Sequence, residues 1–212
     1  MDHHKISVEK SARYFTLGKS DSNITTVFFV CHGYAQSANE FLEKFEPIQN
    51  DKYYFVAPEG LSRFYLRGSK EKVVASWMTH EDRADDISDY VLFLDKVYKE
   101  VIGKFSSDVN IILLGFSQGA ATASRWAALG NSRIDKLILW CGFFPTDLAT
   151  GGIPERIDLT VVAASNDRWI SAKQEEEQVE RIKLFFPAMK HIQFEGEHEI
   201  DIPTLKKIIW NL

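Results

Sequence analysis

Cysteine is nearly absent from this chain: Cys31 and Cys141 are the only two in 212 residues. A disulfide framework is excluded as the basis of the fold. Each cysteine sits in an apolar, strand-like run, where a buried free thiol is expected. No apolar stretch approaches the length that spans a bilayer, and Met1-Asp-His-His-Lys opens without the apolar core of a secretory signal. These absences lead to the expectation of a cytoplasmic protein with no integral membrane association. Positive charge is not in excess, because the net charge is −5. An acidic surface disfavours nucleic acid or an anionic membrane as the main partner. Metal-ligand spacings and glycine-rich phosphate loops are missing, so neither metal nor cofactor is expected. Repeats, linkers and low-complexity tracts are also missing. The 212 residues suit one domain, 1–212, and 45% hydrophobic content fills a core without metals or disulfides.

What is present alternates. Thr25–Cys31 (T-T-V-F-F-V-C), Tyr53–Ala57, Asn110–Leu114, Lys136–Trp140, Leu159–Ala164 and His191–Phe194 are short apolar runs rich in β-branched and aromatic residues. Such runs suit strands buried on both faces. Between them lie helical patterns: Ser37 or Ala38 to Gln49, Ala84–Val101, Ala120–Leu129, Ala172–Phe186 and Pro203–Trp210. Ile87, Val91, Leu94, Tyr98 and Val101 fall on one helical face. Ser171 with Gln174 reads as a capping box. One or two edge strands are expected in residues 5–17, and residues 61–83 read as a long irregular loop. The alternation implies a mostly parallel sheet with helices on both faces.

One stretch organises the rest. Asn110-Ile-Ile-Leu-Leu runs straight into Gly115-Phe116-Ser117-Gln118-Gly119 and then into small residues. A G-x-S-x-G pattern between a strand and a helix reads as a sharp turn that holds a nucleophilic Ser117 above the sheet. The alternative is an ordinary N-cap serine. A serine hydroxyl needs a base, and the base needs a carboxylate to orient it. In open α/β sheets such groups gather at the carboxyl ends of strands. His198, after the last strand, is the expected base and Asp167, after the preceding one, the expected acid. His80 and Asp147 are the weaker rivals. The oxyanion donors are expected to be the N–H groups of Tyr34 and Gln118, with His32 bracing the loop that carries Tyr34. Trp77, Phe143, Phe144 and Trp169 fall on loops at the same end and are expected to line a substrate pocket.

At these residues the sequence resembles the α/β-hydrolase superfamily. More narrowly, it resembles the small phospholipase/carboxylesterase group that includes acyl-protein thioesterases and bacterial carboxylesterases. The matching pieces are His32-Gly33, Gly115-Phe116-Ser117-Gln118-Gly119, Trp140-Cys141-Gly142-Phe143-Phe144-Pro145, Asp167 and His198-Glu199-Ile200. The likeness covers residues 25–212. It departs where Arg168-Trp169-Ile170 replaces the family's Val-Pro-like pair and where Tyr34-Ala35-Gln36-Ser37 follows the oxyanion glycine. The resemblance implies a single-domain α/β-hydrolase fold without a large cap domain. It also implies hydrolysis of carboxylic esters, with short to medium acyl chains or lysophospholipid-like substrates, by a Ser117–His198–Asp167 triad. A small-molecule ester is the expected partner, with homodimerisation left open. A thioesterase or peptidase on the same triad, and a non-catalytic ligand-binding protein, are the alternatives.

Overall fold

The apolar runs become strands in the order of the chain. The computed structural model describes residues 1–69, 71–148 and 152–210; the last two residues of the expected 1–212 domain lie outside them. The strands are β1 (Tyr14–Leu17), β2 (Thr26–Cys31), β3 (Tyr53–Pro58), β4 (Ser62–Tyr65), β5 (Val73–Ser76), β6 (Asn110–Phe116), β7 (Lys136–Trp140), β8 (Asp158–Ala164) and β9 (Lys190–Phe194). The helices are α1 (Ala38–Glu43), α2 (Arg83–Ile102), α3 (Gln118–Leu129), α4 (Ala172–Lys183) and α5 (Ile202–Trp210).

Seven strands form one sheet in the order β1-β3-β2-β6-β7-β8-β9. All neighbours are parallel except the β1 edge, which runs antiparallel to β3. Side chains on successive strand residues point to opposite faces, and two cores result. Phe29, Leu113, Leu137 and Val161 pack under α2, α3 and α4. Phe28, Ile112, Ile138 and Val162 pack under α1 and α5. This is the helix-covered parallel sheet that the alternation implied.

The order reverses between β2 and β6. The chain steps from β2 outward to β3 on one side, while β6 onward builds the other side. The carboxyl ends of two neighbouring strands with opposite onward connections leave a crevice, the usual ligand site of such sheets. The loops after β2 and β6 carry Tyr34 and Ser117.

Three expectations need correction. Residues 61–83 are not irregular: β4 and β5 pair antiparallel, Ser62 opposite Ser76 and Tyr65 opposite Val73. The helix expected to reach Gln49 ends at Glu43, and a 3-10 turn over Glu46–Ile48 follows. Pro47 brings no N–H for a continuing α-helix. Finally, α4 ends at Lys183 rather than Phe186, although its capping box forms with both reciprocal bonds. Among the described residues, no helix is long and apolar enough to cross a membrane.

Candidate active site

Ser117 sits at the junction of β6 and α3 with φ 54° and ψ −118°. A non-glycine residue there carries roughly 1–3 kcal/mol of strain, which only tight surroundings maintain. Those surroundings are visible. The Ser117 N–H donates to the Trp140 carbonyl at 2.9 Å. A Cβ added at Gly119 would lie 2.2 Å from the Cys31 carbonyl oxygen, so only glycine lets the helix start this close to β2. One added at Gly33 would lie 3.2 Å from Ser117 Cβ, which places the loop after β2 directly beside the serine.

Asp167 and His198 come together from the ends of β8 and β9. His198 Nδ1 and Asp167 Oδ2 are 2.7 Å apart. The other carboxylate oxygen of Asp167 accepts the Trp169 N–H at 2.8 Å and the Ile170 N–H at 3.1 Å. Backbone donors therefore fix the carboxylate while it faces the imidazole. Its side chain is almost wholly buried, whereas that of His198 is 12% exposed. The His198 ring packs at 4.9 Å on Phe116, the residue before Ser117. No hydrogen bond joins Ser117 Oγ to His198 among the described residues, and such bonds commonly tighten only when substrate is bound.

The rivals are otherwise occupied. Asp147 is held by Arg125 at 2.9 Å and Arg83 at 2.8 Å. Burial works against its charge, yet hydrogen bonding and charge from Arg125 hold its carboxyl below the usual value. His80 is exposed. His191 lies in β9 and meets Glu175 at 3.1 Å.

His32 is fully buried at the mouth of the loop after β2. Its Nε2 accepts the Gly60 N–H at 3.0 Å, so the proton must sit on Nδ1, which donates to the Gly33 carbonyl at 2.7 Å. Burial pushes its pKa down to about 4, against smaller opposing effects from Gly33 and Glu59. His32 is thus a neutral brace. Tyr34 stands beyond it, 61% exposed, its ring 5.6 Å from that of Phe64. Among the described residues, neither the Tyr34 nor the Gln118 amide finds an internal acceptor. Two free N–H groups beside a serine can receive a developing oxyanion.

The residues expected to line a pocket divide. Phe143 and Trp169 are exposed on the loops after β7 and β8, and Arg168 covers the Trp169 ring at 5.2 Å. Trp77 instead turns inward. It is 1% exposed, lies 5.0 Å over the His32 ring and donates its indole N–H to the His32 carbonyl at 2.8 Å. Phe144 is also buried, against Phe186 and under Arg181. A tryptophan with a buried N–H needs an acceptor, and here that requirement takes Trp77 inward.

Two neighbours escaped the sequence reading. Cys141 Sγ, an Asp167 oxygen and a His198 ring nitrogen lie within 4.8 Å of one another, so a bland buried thiol borders the acid. Burial first, then the Asp167 charge, pushes that thiol up to about 12, so it stays protonated. The Gln118 side chain is the other: it reaches Ser76, Trp77 and Met78. Nothing in the spacing of these residues marks either contact.

No curated protein matches this chain. Its fold recurs in solved structures. Maize (Zea mays) acyl-protein thioesterase 2 matches with a TM-score of 0.74 at 15% identity, over 95% of this chain and 98% of the other. A Mesorhizobium loti carboxylesterase matches at 0.68 and 17%, over 94% of each chain. The Bacillus cereus carboxylesterase matches at 0.65 and 18%, over 94% and 92%. At these identities the likeness establishes the α/β-hydrolase fold. The family model described as serine hydrolase (FSH1) matches residues 24–211, nearly the whole sheet and every helix, and the chain belongs to that family.

Proposed function

We propose that the protein hydrolyses carboxylic esters through an acyl-enzyme. His198 takes the proton from Ser117 as its Oγ attacks the ester carbonyl. The charge that develops on the carbonyl oxygen meets the Tyr34 and Gln118 N–H groups. Asp167 keeps the imidazole proton on Nδ1 and stabilises the imidazolium. His198 then returns its proton to the leaving alcohol, and the same imidazole activates the water that releases the acid. Phe143 and Trp169 contact the acyl or alcohol portion. The observation that carries this reading is the 2.7 Å Asp167–His198 bond beside a serine held at φ 54°.

Fluorophosphonate labelling followed by peptide mass spectrometry tests it. The adduct is expected on Ser117, and Ser117→Ala is expected to lower p-nitrophenyl ester turnover by roughly 10⁴-fold or more. A Ser117→Ala protein with wild-type esterase activity refutes it. Thioester hydrolysis is the second reading, favoured by the maize neighbour's name. The ratio of kcat/KM for matched thioester and oxoester substrates decides between them.

A further inference from the structure

The two oxyanion donors sit on separate loops, and the sheet holds those loops together only as far as the Cys31–Gly115 pair. Beyond that pair something else must set their spacing, because a misplacement of about 1 Å in such a site costs on the order of a hundredfold in rate. The geometry points to the β4–β5 hairpin as the template that fixes this spacing, with the side chains of Trp77 and Gln118 as its positioning residues. The inference rests on the acyl-enzyme reading above.

One edge of β5 binds the loop after β2. The Ala35 N–H donates to the Ala75 carbonyl at 3.0 Å, and the Ala75 N–H donates to the Gln36 carbonyl at 2.9 Å. These two bonds form an isolated antiparallel bridge that pins Ala35, whose φ of 56° turns the chain just after Tyr34. Trp77, directly after β5, adds its indole N–H to the His32 carbonyl. The Phe64 ring on β4 meets the Tyr34 ring. The loop is thus held before, at and after the donor residue.

The same few residues bind the other donor. Gln118 Oε1 accepts the Trp77 backbone N–H at 3.1 Å. Gln118 Nε2 donates to the Met78 carbonyl at 3.1 Å and to Ser76 Oγ at 3.2 Å. Trp77 therefore touches both halves: its backbone N–H meets Gln118, and its indole N–H meets the strand end that leads to Tyr34. Ala75, Ser76 and Trp77 are each at most 2% exposed, so water does not compete for these bonds. Neither side chain touches substrate, and both act through the backbone amides they place.

Two variants separate placement from general packing. Trp77→Phe keeps an aromatic ring over His32 and deletes the indole N–H. Gln118→Met keeps the length and the backbone N–H and deletes the side-chain bonds to Ser76, Trp77 and Met78. Each is expected to lower kcat on a p-nitrophenyl ester by roughly 10- to 100-fold, with KM within about twofold. The affinity for a trifluoromethyl ketone, which forms a tetrahedral oxyanion on the serine, is expected to weaken by the same factor as kcat/KM. Thermal midpoints within a few degrees of wild type and retained fluorophosphonate labelling would accompany the loss. Unchanged kcat and ketone affinity in Gln118→Met refutes the inference, even where Trp77→Phe fails to fold. So does a loss carried wholly by KM. Wild-type protein that neither turns over an ester nor takes a fluorophosphonate refutes the acyl-enzyme reading itself, a separate result.

Discussion

Protonating His32 should loosen this protein well above the pH at which its carboxylates fail. The folded ring accepts the Gly60 N–H on Nε2, and a proton there would set two donors face to face. Burial holds the pKa near 4 against an ordinary value of 6.5. The unfolded chain binds a proton in that window and the folded chain refuses it. Stability is therefore full above pH 6.5 and is lost as pH falls towards 4. At about 1.4 kcal/mol per pH unit of difference, the loss is ~2 kcal/mol by pH 5 and ~3 kcal/mol by pH 4. Asp95, Asp147 and Asp158 are held below their ordinary 3.8, so their contributions fade only below that value. The two windows are separate. Urea unfolding of wild type and His32→Gln at pH 7 and pH 5 isolates the effect, because the two proteins differ only at residue 32. Wild type is expected to lose ~2 kcal/mol more than the variant between the two pH values. Equal losses would show that His32 is solvated or already charged, and the bracing argument would fall.

Three further outcomes follow from packing. Cys31 and Cys141 are each at most 1% exposed and burial raises both thiols, so neither should react with Ellman's reagent until denaturant is added, when two thiols should titrate. Gly119→Ala puts a Cβ 2.2 Å from the Cys31 carbonyl oxygen and should cost about 3 kcal/mol or more, read as a lower thermal midpoint and poor soluble yield. Asp95 accepts from Trp126 Nε1, the Asn131 N–H and Ser132 Oγ at the end of α3 opposite Ser117. Asp95→Ala should cost roughly 3 kcal/mol by urea unfolding and leave fluorophosphonate labelling of Ser117 intact.

Strands buried on both faces were legible because nothing interrupts their apolar residues: Lys136–Trp140 matches β7 end to end. Ser117, Asp167 and His198 were legible as candidates at strand ends, but the 2.7 Å contact that joins the last two depends on the sheet order, which no local pattern encodes. The hairpin was not legible. Ser62-Arg-Phe-Tyr and Val73-Val-Ala-Ser are four residues each, and neither alternates cleanly. Their pairing is a tertiary event, closed by contacts to the loop after β2. Trp77 misled for a related reason. An aromatic in a connecting segment reads as a pocket wall, and only the fold reveals the carbonyl waiting for its N–H.

The sheet order also has a consequence for how the chain is made. β2 lies next to β3, which follows it closely in the chain, while its other edge pairs with the distant β6, Thr26 lying opposite Asn110. Roughly eighty residues must emerge before that edge closes, a slow, non-local step. Until then T-V-F-F-V-C is an uncharged, open-edged strand of the kind that self-associates. β6 is thus both the strand that leads into Ser117 and the cover for that open, apolar edge of the nascent chain. Damage to its apolar residues should reach the cell first as lost soluble protein, before any defect in turnover can be measured.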